Sequence, residues 1–211
     1  MCQTCLSWYA RCIAPYFVHF GCSAKAFARM RERVIPLAEG TVVEVGFGSG
    51  LNLPYYDTAR VARLVGVDPD GTMLGLAGPK SRSLPFPVEC LRAGGESLPL
   101  ADGFADTVVV TYAFCTIPDP QAALTEIRRV LKPTGRLIFI EHGQAAGPRR
   151  RRWQHRLNGL WGSIAGGCNL NRDPLALIRA AGFRLVERQH RRFPLPLWHL
   201  GSHHAGVAYL R

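Results

Sequence analysis

A glycine-rich loop that follows a short apolar run constrains this chain more than any other stretch. Residues 41–53 read Thr-Val-Val-Glu-Val-Gly-Phe-Gly-Ser-Gly-Leu-Asn-Leu. The β-branched valines predict a strand that is buried on both faces, as in a parallel sheet. Glu44 interrupts the run, and because a buried carboxylate needs donors, we expect it at the carboxyl end of the strand, facing a ligand. Gly46, Gly48 and Gly50 then let the backbone approach that ligand closely.

A second predicted strand ends in an acid at the distance that a nucleotide site requires. Residues 64–68 read Leu-Val-Gly-Val-Asp, which places Asp68 22 positions after Gly46. An acid at this distance accepts hydrogen bonds from ribose hydroxyls in nucleotide-binding sheets. The loop reads E-x-G-x-G-x-G, and its third glycine comes one residue earlier than in the dinucleotide fingerprint. The two features together predict a ligand that contains a ribose.

These motifs resemble those of class I S-adenosylmethionine-dependent methyltransferases. More narrowly, residues 50–56, 93–96, 141–142 and 167–172 resemble the group that contains animal thiol S-methyltransferases and their bacterial relatives. The resemblance implies S-adenosylmethionine as cofactor. It implies these cofactor-binding residues: Glu44, Gly46, Gly48, Gly50, Asp68, Met73, Gly95 and Glu96. Gly94 stands where many relatives carry an aspartate for the adenine amino group, so we expect backbone near Gly95 and Glu96 to contact the adenine.

The order of predicted elements is that of a doubly wound, Rossmann-like α/β sheet of about seven strands. Predicted strands cover residues 42–45, 64–68, 87–93, 106–114, 136–142, 183–189 and 205–210. Predicted helices cover residues 25–37, 120–131, 148–165 and 173–181. The resemblance implies that the last two strands close the sheet as an antiparallel hairpin, with residues 193–204 joining them.

The net charge of +11 is concentrated at the carboxyl-terminal end of the chain. Residues 1–40 carry +3, residues 41–148 carry −2 and residues 149–211 carry +10. We expect a single domain over residues 1–211, with a helical cap (1–40), a cofactor-binding core (41–142) and a basic substrate-side region (143–211). The basic end can attract anionic lipid, acidic small molecules or nucleic acid, or it can be a solvated face.

The seven cysteines are an odd number, which argues against a complete disulfide framework and for reduced thiols. Zinc ligands are available at Cys2, Cys5, Cys12, His19 and Cys22, but no second C-x-x-C or paired histidine motif completes a tetrahedral set. We therefore expect no metal site. The apolar run over residues 12–22 lacks the features of a secretory signal and is too short to span a membrane. We expect a cytoplasmic protein, with peripheral contact with an anionic membrane left open.

The resemblance places Tyr112 near the transferred methyl group, and the residues alone allow it to be a core tyrosine. His142, at the end of the fifth predicted strand, is a candidate general base, and Cys115 is a candidate for substrate contact. The expected activity is methyl transfer to a small or lipophilic acceptor, with a thiol favoured. The alternatives are methylation of a phospholipid amine, a quinone precursor or RNA, and a non-catalytic basic protein that binds nucleic acid or membrane. The sequence makes no prediction about oligomeric state.

Overall fold

The computed structural model describes Tyr9, residues 12–192 and residues 202–211, without the side chains of residues 187–192. Within these residues seven strands form one sheet: β1 (Gly40–Val45), β2 (Val61–Val67), β3 (Val88–Leu91), β4 (Ala105–Thr111), β5 (Leu131–Gly143), β6 (Phe183–Arg192) and β7 (Ser202–Leu210). Their spatial order is β3-β2-β1-β4-β5-β7-β6. β7 runs antiparallel to β5 and β6, and the other pairs are parallel. The predicted fold, with its closing antiparallel hairpin, is confirmed.

Helices cover both faces of the sheet. In the described part of the chain they are α1 (Ala14–Cys22), α2 (Lys25–Val34), α3 (Gly71–Ser81), α4 (Pro120–Val130), α5 (Pro148–Ile164) and α6 (Pro174–Ala180), with short 3-10 helices at Ile35–Leu37 and Leu53–Tyr55. The carboxylates of Asp70, Asp119 and Asp173 accept hydrogen bonds from backbone amides in the first turns of α3, α4 and α6. Each cap satisfies amides that have no partner within the helix.

The core consists of two apolar layers, one on each face of the sheet. Val43 and Val45 belong to the layer that contains buried residues of α4 and α6, whereas Val42 belongs to the layer that contains buried residues of α2. Successive side chains of a strand point to opposite faces. Glu44 therefore lies on the α2 side of the sheet, where it meets polar groups described below.

Most strand boundaries differ from the sequence prediction by one to five residues, and the end of β4 and the start of β5 show why. β4 ends at Thr111 and does not continue to residue 114, because Tyr112 adopts a φ of 54° that turns the chain out of the sheet. β5 begins at Leu131, five residues earlier than predicted, since Leu131 pairs with Ala105 across a register shift. The predictions for Cys2, Cys5 and the connecting residues 193–201 lie outside the described residues.

Candidate active site

A cavity of about 470 Å³ lies at the carboxyl edge of β1, β2 and β4. This volume is within the roughly 300–1,000 Å³ of typical small-molecule sites. One side is lined by the glycine loop after β1 and the residues after β2, and the other side by α1 and the loop after β4. Open α/β sheets bind their ligands at this edge.

Glu44 ends a buried chain of hydrogen bonds that begins on α2. Asn52 Nδ2 donates to Glu44 Oε1 at 2.8 Å, and the Tyr56 hydroxyl donates to Glu44 Oε2 at 2.6 Å. Arg31 Nε donates in turn to Asn52 Oδ1 at 2.9 Å. Burial raises the pKa of Glu44 to about 8, although Tyr56 and Asn52 donate to it and Arg31 lies nearby. Glu44 can therefore lose its proton near neutral pH when a cation enters the cavity.

Asp68 follows β2 directly and connects the glycine loop to the start of α3. Its Oδ2 accepts a hydrogen bond from Gly48 N at 2.8 Å, and its Oδ1 accepts one from Asp70 N at 2.9 Å. Burial raises the pKa of Asp68, and these two backbone donors oppose the rise. Each carboxylate oxygen has more than one acceptor site, so Asp68 keeps capacity for ligand hydroxyl groups.

The glycine loop has left-handed backbone at Gly46, Gly48 and Gly50, with φ values of 76°, 56° and 68°. A Cβ at Gly46 would lie 2.4 Å from the Cβ of Ala113, so this glycine lets the loop approach the segment after β4. A Cβ at Gly50 would lie 2.6 Å from a methyl carbon of Leu53. Gly50 therefore supports the loop by packing.

Three predicted cofactor residues stand farther along the cavity. Met73 lies in the first turn of α3, and its methyl carbon would be 3.2 Å from a Cβ at Gly48. A Cβ at Gly95 would lie 2.9 Å from a methyl carbon of Val45, so the backbone of this loop packs directly against β1. Glu96 Oε1 accepts a weak hydrogen bond from the backbone amide at the start of α4, at 3.3 Å.

Tyr112 organises the opposite side of the cavity. Among the described residues it alone has a positive φ without being glycine, and strained backbone of this kind concentrates at ligand sites. Its ring centroid lies 5.0 Å from that of Phe27, 5.7 Å from that of His203 and 6.4 Å from that of His142. The guanidinium carbon of Arg31 lies 5.6 Å from the centroid of the Tyr112 ring.

The helix α1 covers the glycine loop. His19 Nδ1 lies 2.6 Å from the hydroxyl oxygen of Ser49, which pins the helix to the loop. Ala14, Pro15, Val18 and other residues of α1 line the cavity. Helix α1 therefore covers one side of the cavity.

Known proteins match both the sequence and the fold. The family described as methyltransferase domain matches residues 43–139. Human thiol S-methyltransferase TMT1A is 30% identical over 94% of this chain and 86% of its own length. Thiol S-methyltransferase TMT1B of Rattus norvegicus is 32% identical over 81% of this chain and 70% of its own length. The chain belongs to the class I S-adenosylmethionine-dependent methyltransferases.

A solved structure agrees with this identification at the level of the fold. A methyltransferase from Thermotoga maritima, described as a possible histamine N-methyltransferase, superposes with a TM-score of 0.68 at 21% identity. The match covers 98% of this chain and 99% of the other. The seven-stranded sheet is thus the methyltransferase fold over the whole chain.

S-adenosylmethionine is the methyl donor of this family, and the chemistry of the cavity fits it. Asp68 retains acceptor sites for ribose hydroxyls, and Glu44 can supply a negative charge for the ammonium group of the cofactor. Gly48 leaves backbone open beside Met73, where a side chain would project into the space between the loop and α3. A neutral polar loop without these acids would not match a cationic nucleoside.

Most predicted site residues of the methyltransferase surround one cavity. These line it: Glu44, Gly46, Gly48, Asp68, Met73, Gly95, Glu96 and Tyr112. Gly50, His142 and Cys115, the candidate for substrate contact, are not among the lining residues. His142 is buried behind the loop after β4, where its Nε2 lies 3.2 Å from the Sγ of Cys168.

The sequence patterns did not predict the side chains that hydrogen-bond to Glu44, to Asn52 and to the glycine loop. Asn52 and Tyr56 lie within the stretch 50–56 that carried the family resemblance, and a buried Glu44 that needs donors was a signal for them. Arg31 and His19 reach the site from helices that precede the sheet, and no local pattern predicted their hydrogen bonds to Asn52 and Ser49.

The segment 167–172, also part of the resemblance, makes hydrogen bonds to the loop after β4. Asn169 donates to the carbonyl oxygen of Cys115 from both its backbone amide (2.8 Å) and its side chain (3.0 Å). Arg172 Nη1 donates to the carbonyl oxygen of Ile117 at 2.6 Å. This segment therefore fixes the position of the loop after β4.

Proposed function

We propose that this methyltransferase transfers the methyl group of S-adenosylmethionine to the sulfur of a small lipophilic thiol. The observation that carries the proposal is the make-up of the acceptor side: Val18, Tyr112 and Ile117 line it, and Arg31 adds a buried positive charge. A free thiol ionises near pH 8.5, and nearby positive charge lowers that value, so a thiolate forms there without a strong base. The thiol S-methyltransferases among the relatives support this choice.

On this proposal each predicted residue has a role. Glu44 receives the ammonium group of the cofactor and Asp68 its ribose hydroxyls, while the glycine loop gives them room. Met73, Gly95 and Glu96 surround the adenine. Tyr112 contacts the acceptor near the methyl group. His142, which lies behind Tyr112, is the candidate general base.

The bound cofactor supplies a methyl group on a sulfonium. Its direct displacement depends on alignment of the nucleophile more than on an elaborate set of catalytic groups. Within the single domain proposed from the sequence, residues 41–142 then bind the cofactor. Residues 1–40 and 143–211 shape the acceptor side.

A panel of acceptors, with detection of S-adenosylhomocysteine, tests the proposal. Alkyl and aryl thiols of different pKa are compared with phenols, quinone precursors, phosphatidylethanolamine and RNA, each against a reaction without enzyme. We expect thiols to turn over, with rates that rise between about pH 7 and 9 as each acceptor ionises. Turnover of phenols, the lipid or RNA while thiols stay inert would reassign the reaction to O-, C- or N-methylation.

A second proposal concerns the helix surface, which we define as the exposed apolar side chains of α1 and α5. They are Ile13, which precedes α1, and Tyr16, Phe17, Phe20, Trp153, Leu160 and Ile164. The Tyr9 hydroxyl donates to the carbonyl oxygen of Ile164 at 2.8 Å, so a residue that precedes α1 contacts the end of α5. Arg149–Arg152 are exposed at the start of α5. Apolar side chains beside arginines match an anionic membrane surface, and we propose peripheral contact there.

No helix of the described residues combines the length and apolar character needed to cross a bilayer. Sedimentation with anionic vesicles tests the surface contact. Replacing Arg149–Arg152 by glutamine should weaken vesicle binding by about 1 kcal/mol for each arginine. The matched control replaces four exposed arginines elsewhere, Arg29, Arg33, Arg82 and Arg184, and should lose less. Equal losses in both variants, or retention on RNA but not on vesicles at low salt, would contradict the proposal.

A further inference from the structure

Three side chains that are distant in sequence meet directly behind the acceptor side of the cavity. They form the Cys–His–Cys cluster, defined as Cys115, His142 and Cys168. The two sulfur atoms and one ring nitrogen all lie within 4.8 Å of one another, and His142 Nε2 is 3.2 Å from the Cys168 sulfur. Cys115 and His142 are buried, and Cys168 is partly buried.

We infer that the Cys–His–Cys cluster binds a soft divalent cation of the zinc type, and that its fourth coordination position takes the acceptor thiol. Thiolate and imidazole are the ligands that Zn²⁺ prefers. Zinc bond lengths of about 2.3 Å to sulfur and 2.1 Å to nitrogen place tetrahedral ligands about 3.5–3.8 Å apart. The observed spacing reaches this geometry with shifts of about 1 Å or less.

The ligands are held in place by hydrogen bonds that do not involve their metal-binding atoms. The carbonyl oxygen of Cys115 accepts the two hydrogen bonds from Asn169. Asn158 Oδ1 accepts a hydrogen bond from the backbone amide of Leu170 at 2.7 Å, which fixes the segment that carries Cys168 to α5. His142 lies in β5, where it pairs with His203 of the antiparallel strand β7. Ligands fixed in this way lose little freedom when an ion binds.

The cluster adjoins the cavity that the proposed reaction uses. Tyr112 and Thr116, on either side of Cys115 in the chain, both line the cavity, as does Gly166, two residues before Cys168. The sulfur of Cys115 lies 3.5 Å from the hydroxyl oxygen of Thr116. Three protein ligands and one open position are the arrangement of catalytic zinc, whereas structural zinc has four protein ligands.

This inference rests on the proposed thiol acceptor and adds how the thiol loses its proton. A thiol that coordinates Zn²⁺ is deprotonated, and the proton passes to solvent. A sulfur lone pair then forms the new S–CH₃ bond while the bond between the methyl carbon and the cofactor sulfur breaks. That electron pair stays on the cofactor sulfur, which leaves neutral S-adenosylhomocysteine and the methyl thioether.

Metal binding is measured first, on the full chain without any acceptor. Metal-free protein is titrated with Co²⁺, and thiolate-to-cobalt charge-transfer absorption in the near ultraviolet reports sulfur ligation. We expect about one ion per chain. Cys168→Ser, and separately His142→Gln, should lower Co²⁺ affinity by about 100-fold or more, since even outer-shell changes cost 10–100-fold. Cys90→Ser, which changes an exposed cysteine outside the cluster, is the matched control and should titrate as the unmodified chain does.

Failure to fold is separated from failure to bind by circular dichroism and by S-adenosylhomocysteine affinity for each variant. The metal site is overturned if the unmodified, reduced chain shows no sulfur ligation. It is overturned equally if Cys168→Ser folds and keeps full Co²⁺ affinity. A Cys115–Cys168 disulfide, found by mass spectrometry in protein purified without reductant and retained in the presence of Zn²⁺, would also overturn it.

The role of the fourth position is measured by adding an alkyl thiol to the cobalt-loaded protein. We expect the charge-transfer absorption to intensify, because a further thiolate joins the ion, whereas the matching alcohol leaves the spectrum unchanged. An unchanged spectrum with the thiol would overturn the acceptor role. If the ion binds but thiols are not methylated, the proposed function fails and the metal site stands. If thiols are methylated but no ion binds, the metal site fails and the proposed function stands.

Discussion

The two sides of the cavity are built from different kinds of sequence. The cofactor side takes its polar groups from residues 44–56 and 68–73, two short stretches that each begin at the end of a strand. The acceptor side is assembled from α1, residues 112–118 and residues 166–172, which are distant in the chain. Carboxylates with close hydrogen bonds dominate the first side, and aromatic rings, thiols and histidines dominate the second. If the two assignments hold, we expect the cofactor contacts to depend mainly on local sequence and the acceptor contacts on tertiary packing.

The largest expected effect comes from Gly46→Ala on the cofactor side. The added Cβ would lie 2.4 Å from the Cβ of Ala113, at a φ of 76° that alanine rarely adopts. We expect affinity for S-adenosylhomocysteine, measured by calorimetry, to fall about 100-fold or more, roughly 2.8 kcal/mol. The matched control is Gly103→Ala, which has a φ of 61° but nothing within 4 Å of the added Cβ. Equal affinities in the two variants would mean that the close approach of the loop to Ala113 is unimportant.

Asp68→Ala should have the next largest effect. It removes the carboxylate that holds Gly48 and that we assign to the ribose, so cofactor affinity should fall by about 1.5–3 kcal/mol. Asp173→Ala is the control, because it removes an aspartate that also accepts a backbone hydrogen bond, but at the start of α6. It should cost about 1 kcal/mol of stability as a lost cap and leave cofactor affinity unchanged. A folded Asp68→Ala variant with unaltered affinity would remove the ribose assignment.

The raised pKa of Glu44 predicts that cofactor binding is linked to the release of a proton, an effect that concerns the cofactor side alone. Its pKa is about 8 in the structure, and an ammonium group bound beside it would lower that value. Below pH 8, cofactor binding should therefore release a proton, and affinity should rise by up to roughly tenfold from pH 6 to 8. Calorimetry in two buffers of different ionisation enthalpy measures the released proton. Glu44→Gln should bind without buffer dependence, and release by that variant equal to that of the unmodified chain would assign the proton to another group.

The same carboxyl also affects stability. The folded-state pKa of Glu44 is raised above its ordinary value of 4.5, so the fold favours the protonated form. This contribution is fully present below about pH 4.5 and is lost as pH rises through about 8. Chemical unfolding between pH 5 and 9 should show a smaller decline in the free energy of unfolding for Glu44→Gln. Parallel declines in both proteins would contradict the raised pKa.

The smallest expected effect is that of Tyr112→Phe on the acceptor side. Among the described residues the hydroxyl has two long contacts, 3.7 Å to Met30 Sδ and 3.4 Å to His203 Nδ1. Its removal should change cofactor affinity and acceptor KM by less than about 1 kcal/mol. Tyr112→Ala removes the ring as well and should raise acceptor KM while cofactor affinity changes little. A large loss of cofactor affinity in either variant would show that the two sides are not separable.

Sequence patterns predicted the strand ends beside the glycine loop because the information for them is local. A β-branched run closed by glycine predicted the end of β1, and the acid after the next apolar run predicted Asp68 at the same edge. The predicted end of β4 was wrong because a tertiary contact determines where this strand ends. Glu141 Oε1 accepts hydrogen bonds from the amides of Ala113 and Phe114 at 2.7 and 3.1 Å, which satisfies the turn that takes the chain out of the sheet.

Behind the acceptor side lies the Cys–His–Cys cluster, which spacing in the sequence does not reveal. The search for metal ligands relied on cysteines and histidines close together in sequence, whereas Cys115, His142 and Cys168 meet only when the sheet forms. The large apolar side chains of α5 fall into two groups. Leu157 and Trp161 pack against a buried cluster, while Trp153, Leu160 and Ile164 remain exposed. Helical periodicity predicts that a face is apolar, but not what covers it.

The position of β7 has a consequence for how the chain is made. β7 follows β6 in the chain but lies inside the sheet, between β5 and β6. While residues 202–210 are still within the ribosome, β6 has no strand to pair with and one edge of β5 stays open. The nascent chain can then form the five parallel strands but cannot complete its sheet, and long-range pairing of this kind is slow. Unpaired strand edges promote aggregation, so we expect a chain truncated before residue 202 to give less soluble protein than the full chain.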